Sequence, residues 1–290
     1  MPQATRRTVS IARPRPGSQH SGGLPAFVFP LRPTRHFQNE IFPHKIHLIM
    51  LRTILAVLVL ALFAVVIGLP LLLLAWITGT IGPFYPAAEV ALRLSLALAG
   101  VRIRVEGTEN IPAEACLFMA NHTSAVDPVA MFVATPRHIA FLAKQELFRI
   151  PLLGLAMRRA QFLPVDRSSA EAAAGSVDRA VEQLRAGVSM MIYPEGTRSP
   201  DGHLLPFKRG GFLLAIRAGR PIVPVAIQGA ERILPKHQLW IRPGEILLKY
   251  LPPVSVAGYT QEDRAILLDR VRASIAANLP AHAASPTASP

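Results

Sequence analysis

Two short polar runs carry groups able to do proton and phosphate chemistry. The first is Asn121-His122-Thr123-Ser124-Ala125-Val126-Asp127. A neutral imidazole takes a hydroxyl proton well near neutral pH. A carboxylate bonded to its other ring nitrogen fixes the tautomer and stabilises the imidazolium that forms. Asp127 follows His122 by five positions, a spacing that unrelated chains contain by chance. On its own it reads better as a surface histidine beside a helix cap. The second run is Tyr193-Pro194-Glu195-Gly196-Thr197-Arg198-Ser199. Gly196 permits close backbone approach, Arg198 can grip a phosphate in bidentate fashion, and Thr197 can add a hydroxyl donor. The plainer account is a polar loop with a Glu195–Arg198 surface pair.

Each run stands where an α/β fold presents functional groups. Ala115–Ala120 is a short apolar run ending at Asn121 and reads as a buried strand. Asp127 before Pro128 suits an N-cap followed by the first helical position. His122 would then lie at a strand end, at the sheet edge where α/β sites gather. Val188–Tyr193 is a second buried strand leading into the second run. Val101–Val105 alternates and meets Gly107, a strand signal, and Ile222–Ile227 is a further buried strand. Ser168 and Glu171 form a capping-box pattern. They open a helix with Val177, Val181 and Leu184 on its apolar face and Gly187 at its end. Thr260 is placed to cap a last helix bearing Leu267, Val271 and Ile275 on one face. The expected class is α/β, a mixed, mostly buried sheet flanked by helices.

Ahead of that domain the composition changes. Residues 1–49 are rich in Pro, Arg, Gly and Ser, show no period, and read as a disordered segment. Met50, followed by Leu51, Arg52 and an apolar run, looks like a natural start, with the upstream residues an extension of the gene model. From Thr53 to Ala88 there is no charged residue. That stretch, within residues 50–92, is the expected N-terminal hydrophobic membrane-anchoring segment; one spanning helix needs only about 20 residues. Pro70 should kink or end its first helix, since it lacks an amide donor and clashes with the preceding turn. A long tilted span and a hairpin that dips into the bilayer and returns both fit, and a shallow anchor is favoured. It keeps the catalytic domain on the cytoplasmic side that Arg52 and its basic neighbours prefer. Trp76, Phe84 and Tyr85 fit either the bilayer interface or packing between apolar segments. Residues 93–280 form the remaining domain, and 281–290 an Ala/Ser/Pro-rich tail.

Charge and cysteine content narrow the function. The formal charge is +13, and residues 1–52 hold eight Arg or Lys against Glu40 alone. A basic surface suits anionic headgroups and phosphate substrates. Nucleic acid is not expected, because no basic stripe with interleaved aromatics and no recognition motif is visible. Cys116 is the single cysteine, which excludes an internal disulfide and a cysteine-cluster metal site. His138, His203 and His237 have no metal-like spacing. No Gly-x-Ser-x-Gly elbow is present to support a hydrolase of the usual α/β form.

Taken together, the runs NHTSAVD and YPEGTRS, in that order, resemble the lysophospholipid and glycerolphosphate acyltransferase family. Two lesser blocks add to the resemblance: Arg158–Arg167, reading RRAQFLPVDR, and Ile222–Ile227. The four cover roughly residues 95–255. The resemblance implies a 1-acylglycerol-3-phosphate acyltransferase, bound to the membrane (the inner membrane if the source is bacterial) and making phosphatidic acid. It makes His122 the general base and Asp127 its partner. Glu195, Gly196, Thr197, Arg198 and Arg167 become acceptor-site residues, with Lys144 a phosphate-facing lysine. The partners implied are membrane lipids, a lysophosphatidate acceptor, and acyl-CoA or acyl carrier protein as donor, without metal or cofactor. Within the same chemistry the acceptor could be another lysolipid, a lyso-ornithine lipid or glycerol 3-phosphate. A non-catalytic lipid-binding protein is the reading from another class, although phosphate binding alone needs no base. An acyl-enzyme at Ser124 or Cys116 is the competing mechanism.

Overall fold

The computed structural model describes residues 43–165 and 170–284. The expected segment 1–49 therefore lies mostly outside the described residues, as do Arg167, Ser168 and most of the 281–290 tail. Residues 43–49 are an exception to the expected irregularity, for they form the first turns of α1 (Pro43–Phe63).

The chain begins in one long apolar helix. After α1 comes a π-helical turn, Ala64–Gly68, and then α2 (Leu69–Thr78). Pro70 does not end it: α2 continues through the proline to Thr78. The π turn lies just upstream, where the Leu69 amide reaches back to the Ala64 carbonyl. A wide turn before the proline is a known way to relieve the crowding that its ring creates. Gly79, in the left-handed region at φ 74°, closes α2. The chain then returns as α3 (Phe84–Leu98) along α1, where Ser95 Oγ donates to the Ala56 carbonyl at 3.1 Å. Ile46–Thr78 is 33 residues long and apolar enough to cross a membrane. Its buried edge is Thr53, Ala56, Gly68, Leu72 and Ala75. The aromatic residues divide between their two expected roles. Trp76 is exposed, whereas Tyr85 stacks on Phe132 and donates to the Ile139 carbonyl.

The remaining residues build an α/β domain. In chain order its elements are β1 (Val101–Glu106), β2 (Leu117–Ala120), α4 (Asp127–Ala134), β3 (Ile139–Lys144), α5 (Leu153–Arg159), β4 (Leu163–Val165) and α6 (Ala170–Arg185). They continue with β5 (Ser189–Ile192), α7 (Gly210–Ala218), β6 (Ile222–Gln228), α8 (Ala230–Ile233), β7 (Gly244–Tyr250), α9 (Arg264–Ala276) and α10 (Ala281–Ala284). The described strands form one sheet in the order β1-β7-β6-β2-β5-β3-β4. It is mixed: β6 pairs parallel with β2 and antiparallel with β7, and every other pairing is parallel. The central strands β2 and β5 are buried along their whole length, as expected where helices cover both faces.

Alternation divides the core. Leu117, Met119, Met190 and Ile192 face a layer containing Phe212, Leu214, Leu267, Val271 and Ile275. Phe118, Ala120, Met191 and Val225 face the layer with α4, Leu96 and Ala56. The anchor thus contributes Ala56 to the domain's own core. The last helix buries its expected face, but Thr260 does not cap it with its hydroxyl. Asp263 precedes the helix, and its carboxylate takes the amide and hydroxyl of Thr260 at 2.8 and 2.9 Å.

Candidate active site

β2 and β5 are parallel neighbours, so their C-terminal ends deliver the two polar runs to one sheet edge. Asn121 ends β2 by extending it with a side chain. Its amide donates to the Ile227 carbonyl and accepts from the Ile227 amide, each at 2.8 Å, so β6 pairs with a side chain as though with one more strand residue. His122 is thereby fixed at the mouth of the sheet.

The His122 ring is oriented on one side by a carboxylate. Nδ1 lies 2.9 Å from Asp127 Oδ2, and the same oxygen accepts the amides of Thr123 and Ser124 at 2.8 Å each. Asp127 is fully buried. An anion so placed holds the proton on Nδ1, which leaves Nε2 as the nitrogen able to take one. The His122 side chain keeps 16% of its surface open. Asp127 does not act as the expected helix cap. It is the first residue of α4, and its carboxylate turns back to the loop instead of to the helix amides.

The second run clamps the first through the main chain. The His122 amide donates to Glu195 Oε1 at 2.7 Å, and the His122 carbonyl accepts from the Ser199 amide at 2.8 Å. Glu195 Oε2 accepts from the Leu205 amide at 3.0 Å. Glu195, expected among the acceptor contacts, therefore turns inward with both oxygens taken by backbone donors. Burial pushes its carboxyl up to about 8, against the pull of those two amides. Tyr193 lies flat against the imidazole, ring centroids 4.0 Å apart and planes 18° from parallel. Its phenol is held well above the ordinary value by burial.

Gly196, Thr197 and Arg198 rim the same edge. Gly196 sits at φ 74°, and a Cβ there would meet Lys208 Cε at 2.8 Å. The Lys208 backbone is fixed by its amide on the Pro194 carbonyl at 2.7 Å. Lys236 Nζ donates to the Arg198 carbonyl at 3.0 Å. Lys144 ends β3, which neighbours β5, so it shares the edge. Its ammonium pairs with Glu146 at 3.0 Å, both side chains well exposed. Arg167 lies outside the described residues. Tyr193 and Asn121 stand inside the quoted runs without a role of their own there, and only the motif itself could have flagged them. Lys208 and Lys236 lie outside both runs and reach the rim through tertiary structure.

The two alternative nucleophiles are otherwise engaged. Ser124 Oγ donates to the Leu234 carbonyl at 2.8 Å and accepts from the Val126 amide at 3.2 Å. Cys116 is fully buried, and burial pushes its thiol up to about 11, the opposite of what a thiolate nucleophile needs.

Comparison with known proteins agrees with this geometry. The profile of the Acyltransferase family matches residues 102–228, a span that contains both runs. The chain is 31% identical over 211 residues to a 1-acyl-sn-glycerol-3-phosphate acyltransferase of Cocos nucifera, covering 72% of this chain and 68% of that one. The chain belongs to this acyltransferase family. Relatives include the enzyme of the same name from Limnanthes alba, 34% identical over 185 residues, and the alpha form from Homo sapiens, 34% identical over 180. These matches take in 63% and 61% of this chain. The chain spans 66% and 64% of those two relatives' lengths. Among solved structures, the 1-acyl-sn-glycerophosphate (LPA) acyltransferase PlsC from Thermotoga maritima superposes with a TM-score of 0.68 at 26% identity. The superposition covers 81% of this chain and 97% of that one. The family's fold, a mixed sheet flanked by helices behind an apolar N-terminal helix, is the one described above.

Proposed function

We propose that this protein transfers a fatty acyl group from an acyl thioester to the free hydroxyl of 1-acylglycerol-3-phosphate, forming phosphatidic acid. The observation that carries the reading is the buried Asp127 holding the His122 ring while the YPEGTRS loop grips both main-chain groups of the same residue. A phosphate-binding surface has no use for a base held to that tolerance.

In this reading His122 Nε2 takes the hydroxyl proton as the oxygen attacks the thioester carbonyl carbon. The tetrahedral oxyanion collapses, the carbon–sulfur bond breaks, and the imidazolium returns its proton to the departing thiol. Asp127 stabilises the imidazolium between the two transfers, and Tyr193 adds the face of its ring. Arg198, Gly196 and Thr197 would hold the acceptor's phosphate, with Lys144 and Arg167 as further phosphate ligands. The donor is acyl-CoA or acyl carrier protein, and no metal or cofactor takes part.

The same reading places the enzyme on a membrane, with the catalytic domain on the cytoplasmic side. Fifteen large apolar residues between Ile46 and Ile77 are exposed. At roughly 1.5–3 kcal/mol for each such side chain moved out of water, the bilayer offers tens of kcal/mol. The long helix also touches the domain at two separated points, Thr53 with Ile241 and Ala75 with Arg159. These lie about 33 Å apart at about 1.5 Å per residue, which favours an anchor lying against the domain over an upright span that leaves it.

The test is acyl transfer from labelled acyl-CoA to lysophosphatidate by detergent-purified protein, with His122→Ala beside it. Product from wild type alone supports the reading. Absence of product with both thioester donors and a panel of lysolipids sinks it.

A further inference from the structure

We infer that the loop before α5, together with the exposed face of the first turn of α5, is a second membrane-contacting element, separate from the anchor helix and docked on the anionic headgroup region of the bilayer. The inference rests on the membrane-bound reading above. It starts from Leu147, Ile150, Leu153 and Leu155, four large apolar side chains 38–47% exposed within nine residues. Clustered apolar exposure of this kind marks a surface that something covers.

The loop is built to hold them outward. Its inner side is closed by Phe148 and Met157, both buried. Arg158 donates to the Phe148 carbonyl at 3.0 Å and lies over the Phe148 ring at 5.5 Å. Gly154 lies so close to Phe148 that a Cβ would come within 2.2 Å of its carbonyl oxygen. Leu152 is held at φ 60°, a conformation costing about 1–3 kcal/mol for a residue with a side chain. Among the described residues, none that hydrogen-bonds to or stacks on His122 comes from this segment.

Continuity and charge identify the occupant. Arg159 donates to the Ala75 carbonyl of α2 at 3.4 Å, which brings the loop alongside the anchor. On α2 the neighbours Leu73, Leu74, Trp76 and Ile77 are themselves exposed. Exposed apolar side chains therefore stand on both elements that this contact joins. Arg149 and Arg158 are exposed beside the leucines, where long basic side chains can reach anionic headgroups while the apolar ones enter the acyl boundary.

The experiment uses full-length protein in vesicles of phosphatidylcholine and phosphatidylglycerol, with and without lipid carrying a nitroxide on its acyl chain. Cys116 is buried, so a bimane fluorophore goes to an introduced cysteine: Leu153→Cys on the loop, Ile54→Cys on the anchor, or Asp178→Cys on exposed α6. Nitroxide lipid is expected to quench the loop and anchor probes at least twofold and to leave the α6 probe unchanged. Quenching of the anchor alone overturns the inference, whether or not the protein makes phosphatidic acid. A loop probe unquenched by lipid but shielded from aqueous iodide also overturns it, since a second protein copy would then cover the patch. No quenching at any site removes the membrane reading and this inference with it. As a second measurement, the Leu153→Asp/Leu155→Asp protein should lose about tenfold in transfer on vesicle substrate and less than twofold in detergent micelles. Equal loss in both would point to a folding defect and count against membrane docking.

Discussion

The loop around His122 and the anchor helix are held by opposite means. Three residues around that loop, Asn121, His122 and Asp127, and Glu195 from the second run are fixed by hydrogen bonds whose partners are mostly main-chain groups. Each bond specifies an atom and a direction. The anchor has few polar ties, Thr53 and Ser95 among them, and otherwise packs a narrow edge of small residues while presenting apolar side chains outward. Its specification is compositional. One region should therefore fail at single atoms, and the other should tolerate any change that keeps its apolar character and its small edge.

The largest expected effect is at the base. His122→Ala should lower transfer by about 10²–10⁴-fold and lower the melting temperature only modestly, since the backbone bonds of residue 122 remain while the ring's contacts with Asp127 and Tyr193 are lost. Asp127→Asn should cost a comparable factor in kcat and also destabilise the fold. Its amide would leave one or more loop donors without the anionic acceptor, at about 1–3 kcal/mol. A fully active Asp127→Asn protein would break the contrast drawn above. Gly196→Ala comes next: its positive φ and the Lys208 contact should raise KM for the acceptor about tenfold with a smaller effect on kcat, read from initial rates over a range of lysophosphatidate.

A pH experiment sharpens the same contrast. The Glu195 carboxyl is lifted in the folded state from the ordinary 4.5 to about 8. The folded protein then holds a proton between about pH 4.5 and 8 that the unfolded chain has released. Stability supplied by that proton is complete at the acid end and is lost as pH rises through about 8. Melting followed across that window should show a decline in wild type that is smaller by about one proton in Glu195→Gln. The smallest effect is reserved for the anchor's outer face. Leu58→Ile should change neither rate nor melting measurably, whereas Ala56→Leu, two residues away on the packed edge, should displace α3 and lower melting by several degrees.

Much of the site was legible because its chemistry is local in sequence. His122 and Asp127 fall within one loop, and Glu195, Gly196 and Arg198 within another. The strands feeding them, β2 and β5, are short and mostly apolar, as is β6 despite Pro224. The invisible parts depend on distant pairing. In β7 Leu247 and Lys249 lie between buried residues, and nothing in that pattern says that the strand runs antiparallel to β6. β4 is three residues long, too short for any period. The inward turn of Glu195 was not legible either, because it depends on the amide of Leu205 arriving from ten residues further on. Likewise, the effect of Pro70 depended on the π turn upstream, where Ala64–Gly68 looks like any other apolar helix.

The sheet order also sets a timetable for synthesis. β1 has β7 as its one strand neighbour, with Val101 opposite Gly244. At roughly 5–20 residues per second, β1 waits on the order of ten seconds on the ribosome before its partner exists. From the start of that interval the apolar hairpin of α1, α2 and α3 is already made and ready for lipid. A nascent chain of this design can reach its membrane first and close its sheet there, so that the exposed helix need never meet bulk water as part of a folded protein.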